Sequence, residues 1–341
     1  MYIFWKYLLW FLSFLTIIII YLLNSSLGHH SLAQLLSVYI SKKSNNDLEV
    51  SSLDINNYPK FSMNIKINNS AIAYIKGIDN EDNFNIDYHI KGDNLKYNNI
   101  HITHRVDIRG SLCQGESEKK YLYKMNIIKS NHKEFFSRGE IDNSNKYMTI
   151  IGSSSTFDGL LTYKYNQDTL TFHLDGLSLV KLLYFFSYPP ILSAKVYGNV
   201  DDDIKNRVIR FDTKWIETKF RKTEITDKIL TLTGIDILQD SYDNSSFLGA
   251  YQDSTLYANL KIDNGEGRHL YFTDLRVNSK TDLISSKIEF GIVGRKLYGK
   301  LGGTLKEPKV SIDIKRVIKS QLPTILNRGT EDAFRILDKL F

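Results

Sequence analysis

A side-chain period of two, sustained over most of the chain, constrains this sequence more than any other feature. Phe61, Met63, Ile65 and Ile67 alternate with Ser62, Asn64, Lys66 and Asn68. Phe84, Ile86, Tyr88 and Ile90 repeat the pattern, as do Tyr121, Tyr123, Met125 and Ile127. It returns in Leu170, Phe172 and Leu174, in Ile209, Phe211, Thr213 and Trp215, and in Leu256, Ala258, Leu260 and Ile262. Ile288, Phe290 and Ile292 follow, and Val310, Ile312 and Ile314 close the series. Successive side chains of a strand point to opposite faces, so each segment has one apolar and one polar face. Turn signals separate them at Gly77-Ile78-Asp79-Asn80, Lys91-Gly92-Asp93-Asn94, Asp142-Asn143-Ser144-Asn145 and Asp263-Asn264-Gly265. The expectation is a mainly β fold, a long antiparallel meander of about fourteen strands.

Three segments depart from that period. Tyr7 to Leu23 is an uncharged apolar run of 17 residues, interrupted only by Ser13 and Thr16. That is the lower limit for a membrane-spanning helix, and Met1–Phe4 extend it if Lys6 snorkels. Trp5, Tyr7, Trp10 and Tyr21 fall near its two ends, where amphipathic rings favour the headgroups. Lys6 precedes the run and no Lys or Arg follows before Lys42, which puts the N-terminus in the cytoplasm and the bulk across the membrane. The alternative is a signal peptide cleaved near Ser26 and Gly28. Leu27 to Ile40 carries Leu32, Leu35, Leu36, Tyr39 and Ile40 at helical spacing, for a helix on the membrane or over the first strands. Leu177 to Phe186 is apolar and stopped by Pro189-Pro190, with Asp175 or Ser178 as cap. Arg316 to Phe341 is helical again, divided at Pro323 and Gly329.

The organisation expected is therefore an anchor over 1–24, an amphipathic helix and linker over 25–47, and a β segment over 48–176. A helical insertion over 177–190, a second β segment over 191–315 and helices over 316–341 complete it. A net charge of +6 is spread along the chain in short runs such as Lys42-Lys43 and Lys119-Lys120. This dispersal argues against nucleic acid as a partner and suits anionic headgroups. Cys113 is the single cysteine, which excludes an intrachain disulfide and cysteine-type zinc sites.

Chemistry-bearing motifs are sparse. No nucleophile elbow, Walker loop, dinucleotide fingerprint or His-Glu-x-x-His run occurs. His101 and His104, three apart on a strand, face opposite ways and make a poor metal pair. His29-His30 reads as a polar flank of the apolar run. Asp201-Asp202-Asp203 lacks the glycine and glutamate of a calcium loop and reads as a solvated turn. The reading is of a protein that is not an enzyme, with no cofactor and no metal.

The stretch from Lys296 to Asp313 is more specific. Its Gly303, Thr304, Leu305, Pro308, Lys309, Val310 and Asp313 resemble the C-terminal signature of the AsmA-like family, in which a strand ending in Gly-Thr-Leu leads through a Pro-Lys-Val turn to another strand. Gly249 to Leu256 and the strands after it are similar to the paired-strand repeats that precede this signature. The resemblance covers about the last hundred residues. It implies an anchored protein of the bacterial inner membrane, a single-pass chain with its bulk in the periplasm. There a strongly twisted antiparallel sheet curls into a taco-like groove lined with apolar side chains. It implies a function in sheltering or transferring phospholipid along that groove, or in outer-membrane assembly. Acyl chains, the membrane and other envelope proteins are the implied partners. Fourteen strands at ~4.8 Å give a groove on the order of 65 Å. Phe172, Leu174, Phe211, Trp215, Phe290 and Ile292 are the residues expected to meet lipid. The competing expectation is a membrane-tethered scaffold of a secretion or assembly machine with a dry β-sandwich core.

Overall fold

A computed structural model describes residues 25–312, apart from 45, 57–58, 81–82, 94, 98–99, 103–104, 130–132, 186–189, 223–225, 227–236, 239, 293–294 and 305–306. The apolar run Tyr7–Leu23 and the segment Arg316–Phe341 lie outside the described residues. Among those described, no helix is long and apolar enough to cross a membrane.

The chain is mainly β. Of its described strands, 18 belong to one antiparallel sheet that is not closed into a barrel, accompanied by two short helices. Contacts group the chain into two compact units, Met1–Thr156 and Phe157–Phe341.

In the first unit, helix α1 (Ser26–Ser44) precedes β1 (Leu48–Asp54), β2 (Lys60–Ile67), β3 (Ala71–Asn80) and β4 (Asn83–Gly92). A small hairpin of β5 (Leu95–Tyr97) and β6 (Ile100–Ile102) stands apart from the main sheet. The meander then resumes with β7 (Val106–Gln114), β8 (Lys120–Lys129), β9 (Lys133–Asp142) and β10 (Thr149–Ser154). Each main strand pairs antiparallel with the next, β4 passing directly to β7. The register sets Val50, Ile65, Ala73, Ile90, Ile108 and Ile127 opposite one another in succession. Directly opposed residues share a face, so these form one apolar row, and its core is Ile67, Ala71 and Ala73 with Leu48, Ile65, Ile90 and Ile108 against them.

Helix α1 starts where the Ser25 hydroxyl accepts the Gly28 amide at 2.9 Å, an N-cap arrangement. It then runs beside β1. Small residues face the strand, with Ala33 buried, and two hydroxyls reach the β1 backbone. Ser37 Oγ accepts the Val50 amide at 2.8 Å, and Ser41 Oγ accepts the Leu48 amide at 2.9 Å and donates to the Leu48 carbonyl at 2.7 Å. The helix thus covers an edge whose unpaired amides invite another strand. The leucine-rich stripe that predicts this helix is not its packing face: Leu35, Leu36 and Tyr39 are exposed.

The second unit is a meander of β11 (Leu160–Asn166), β12 (Thr169–Ser178), β13 (Leu192–Asp203), β14 (Val208–Phe220) and β15 (Ser245–Gln252). It continues through β16 (Thr255–Asp263), β17 (His269–Asn278), β18 (Ile284–Ile292), β19 (Arg295–Gly303) and β20 (Pro308–Ile312). Helix α2 (Leu179–Phe185) joins β12 to β13. It begins two residues later than the apolar run predicts, because Leu177 and Ser178 still pair with Val196 and Lys195 in the sheet. Ser178 Oγ accepts the Lys181 amide at 3.4 Å, and Phe185 packs edge-on to Phe157.

Irregularities punctuate the strands of this second unit. Register shifts occur at Leu174/Leu177, Ser193/Lys195, Ala258/Leu260 and Thr273/Arg276. Glu217 and Asp274 adopt positive φ at two of them, their amides held by Asp243 Oδ1 at 2.8 Å and Asn259 Oδ1 at 3.1 Å. Bulges of this kind bend a strand and strengthen its twist.

Two sequence-based expectations change here. Gly77 lies inside β3, not in a turn, while the turns expected after Asp142 and Asp263 fall where the strands end. The main sheet has 18 strands among the described residues, where about fourteen are expected from the sequence.

Candidate functional site

The register of the second unit assembles one continuous apolar face. Tyr163 lies opposite Phe172, Phe172 opposite Val200, Val200 opposite Phe211, and Phe211 opposite Gly249. One row further along, Leu161, Leu174, Gly198, Thr213, Phe247 and Leu260 oppose one another in the same way. A third row runs Leu177, Val196, Trp215 and Ser245. Ile262, Leu270, Phe290 and Leu297 extend the same face across the later strands. The opposite face carries exposed His173, Asn199, Asp212, Lys214, Asn259 and Lys261.

Phe172, Leu174, Phe211, Trp215 and Phe290, five of the six residues expected to meet lipid, therefore share this face, although they differ in setting. Phe172 and Phe211 are half-buried. Leu174 is buried, and Trp215 is buried with its indole N–H donating to Thr213 Oγ1 at 3.0 Å, which in turn donates to the Phe247 carbonyl at 3.2 Å. Phe290 is buried in a closed cluster, and Ile292 pairs with Arg295 at the end of β18.

That cluster seals one end of the face. The connection between β14 and β15 lays Ile237 and Tyr242 onto Phe220, Ile262, Leu270 and Phe290. Ile237 and Tyr242 are each 2% exposed. Burial raises the Tyr242 hydroxyl to about 12, with the Asp240 carboxylate beside it pushing the same way. Towards the other end the face stays half-open and aromatic. Tyr163 and Phe172 rings stand 6.0 Å apart, Phe211 and Phe247 5.7 Å, and Trp215 stacks on Phe247 at 6.0 Å. Asp202 also lies on this face, between Leu170 and Ile209, and burial with the neighbouring Asp203 raises its carboxyl.

Tyr163, Phe247 and Tyr251 belong to the face but were not singled out from the sequence. Phe247 and Tyr251 alternate with the exposed Leu248 and with Ala250, and Gly249 between them erases the apolar pattern.

The other candidates do not converge. His101 sits in β6 opposite Lys96, and His104 lies outside the described residues. His29 is buried in α1 while His30 meets Gln34 at 3.1 Å. Asp203 closes the end of β13 by accepting the Asn206 amide at 3.0 Å, as a turn residue does. Among the described residues no group of His, Cys, Asp and Glu could hold a metal ion. A shallow depression among Asp54, Lys60, Phe61, Lys76 and Asp87 in the first unit is mixed in charge and open. Among the described residues the outward faces carry ion pairs, such as Asp107 with Arg109 and His89, and Glu289 with His269 and Lys296, interspersed with exposed apolar side chains such as Leu248 and Tyr257.

In the signature region, β19 and β20 form a hairpin in which Gly303, at positive φ, opposes Pro308. Thr304 and Glu307 close its turn through a 3.0 Å bond from the Glu307 amide to Thr304 Oγ1. Pro308, Lys309 and Val310 lie in the strand and not in the turn, and Leu305 and Asp313 lie outside the described residues. No family model, curated protein or solved structure matches the chain.

Proposed function

We propose that this chain is a membrane-tethered envelope protein of AsmA-like type, which shelters or transfers lipid acyl chains along the apolar face of its second unit. The observation that carries the reading is the half-open row Tyr163, Phe172, Val200 and Phe211, continuous across four strands, with the exposed His173, Asn199 and Asp212 on the other face. A single sheet can keep such a face from water by curling round it and by holding an apolar ligand. Register shifts occur at four places in this unit, and bulges of that kind bend strands and strengthen their twist, which favours such a curl. Ten strands at ~4.8 Å span roughly 45 Å, and an acyl chain as long as half a ~30 Å hydrocarbon core crosses about three of them. Transfer would be passive, since apolar area gains about 25 cal/mol per Å² on either side of the exchange.

A dry scaffold is the second reading, favoured by the sealed cluster around Ile237. Photo-crosslinking separates the two. A benzophenone amino acid replaces Phe172 or Phe211 in the full chain, in membranes, and adducts are read by mass spectrometry. Phospholipid adducts at both positions, absent from a control at the outward Leu248, support the lipid reading. Folded protein that yields only intramolecular adducts at Phe172 and Phe211 sinks it in favour of the scaffold.

A further inference from the structure

The solvent side of α1 carries large apolar side chains among the exposed polar residues His30, Ser31, Gln34 and Lys42, and its inner surface is already engaged with β1. Leu27, Leu35 and Val38 are 67%, 66% and 69% exposed, and Tyr39 beside them is also exposed. On a 3.6-residue helix Leu35 and Tyr39 fall opposite the Ala33, Ser37 and Ser41 side that meets the strand, and Leu27 and Val38 lie on the flank beside them. A solvated helix face of this composition is costly unless something covers it.

Two features of the chain identify the cover. The uncharged run Tyr7–Leu23 ends three positions before α1 begins at Ser26, so whatever apolar phase takes up that run lies within a few residues of this face. The first acidic residue of the chain is Asp47, beyond the helix, whereas Lys42 is exposed at its far end. A helix with exposed apolar residues, a lysine at its end and no acid matches a bilayer surface with anionic headgroups.

We infer that α1 lies in the headgroup region of a bilayer, with Leu27, Leu35 and Val38 towards the acyl chains, and holds the β1 edge at the membrane surface. The helix thereby serves two partners at once, the strand through its hydroxyls and the lipid through its aliphatic side chains. This inference rests on the membrane-tethered part of the reading above and is independent of whether the sheet binds lipid.

The test uses the full chain in a Cys113→Ser background, reconstituted into phosphatidylcholine vesicles containing anionic phospholipid and a lipid with a nitroxide just below the headgroup. An environment-sensitive fluorophore is placed at Val38→Cys and, separately, at Tyr257→Cys on the outward side of β16. The expected result is a blue-shifted emission at position 38, quenched about twofold or more relative to position 257. Adding Leu35→Glu should abolish that difference while the far-ultraviolet spectrum of the sheet is unchanged. If the protein floats with the vesicles but position 38 emits as in water, α1 docking is overturned and the tether stands. If the protein does not float with vesicles at all, the tether itself is wrong and the inference falls with it.

Discussion

The ring of Phe61 occupies the space that a side chain on Gly77 would need. The two residues oppose each other across β2 and β3, and a Cβ on Gly77 would fall 2.5 Å from Phe61 Cζ and 2.6 Å from Cε1. An aromatic ring folded over a cross-strand glycine buries ring area and shields an otherwise bare stretch of backbone. Gly77→Val should therefore destabilise the protein by about 1–3 kcal/mol through overpacking, despite the better strand propensity of valine. Urea unfolding of Gly77→Val, Phe61→Ala and the double variant measures this. The double variant should be more stable than the sum of the two single losses predicts, because removing the ring makes room for the new side chain.

The same pairing explains why the sequence discloses every second strand so clearly and its neighbours so poorly. The strongly alternating segments are β2, β4, β8, β12, β14, β16, β18 and β20. Six of the strands between them, β3, β7, β9, β13, β15 and β19, carry Gly77, Gly110, Gly139, Gly198, Gly249 and Gly299 at positions that face the apolar side of their own unit. Tyr88 opposes Gly110, and Tyr123 opposes Gly139 with its hydroxyl 2.7 Å from where a Cβ would be. A glycine beneath a neighbour's ring counts as a gap in a hydrophobicity pattern, yet it is filled in space. Phe172, Phe211 and Phe290 could be placed on one face because alternation within β12, β14 and β18 survives intact and antiparallel register carries it across. Ile237 could not, since the segment between β14 and β15 has no periodicity and its position depends on where a long connection folds back. Helix α1 was legible as a helix, but its small inward residues gave no sign that backbone amides of β1 were what they met.

Those hydroxyl contacts make a second prediction. Ser37→Ala with Ser41→Ala leaves the Val50 and Leu48 amides without their present acceptors. Each lost bond at a partly buried amide should cost about 1 kcal/mol, more where water cannot replace the serine. Hydrogen exchange is the sharper readout: protection of the Val50 and Leu48 amides should fall while that of the central β3 amides holds. Unchanged protection at β1 would mean the helix is not the edge cover.

The sealed and open parts of the apolar face should respond differently to truncation. Ile237→Ala removes buried aliphatic volume at a position 2% exposed and should cost about 2–4 kcal/mol. Phe211→Ala, at a half-buried position with part of its ring area facing outward, should cost less than Ile237→Ala in the same denaturation series. Equal losses would indicate that the aromatic rows are as tightly closed as the cluster around Ile237, and would count against an accessible face.

The last prediction concerns pH and the outward side of the first unit. Asp107 accepts bonds from Arg109 Nε at 3.0 Å and Arg109 Nη2 at 3.2 Å, and its Oδ1 lies 2.7 Å from His89 Nε2. The Arg109 guanidinium holds the carboxyl below the ordinary carboxylate range, and the His89 ring adds to this against the opposing pull of burial. A carboxyl depressed in the folded state binds its proton more weakly there than in the unfolded chain. Its contribution is therefore complete above the unfolded value of about 4 and is lost as pH falls through the lower, folded value. Asp107→Asn should lower the melting temperature at pH 6, and the gap from the parent should close progressively as the pH is brought below about 4. Raising salt at pH 6 should narrow the gap as well, because Arg109 is more than half exposed and its attraction is screened. A gap that stays constant from pH 6 to pH 2 would show that the asparagine acts through packing or hydrogen-bond geometry and not through the lost charge.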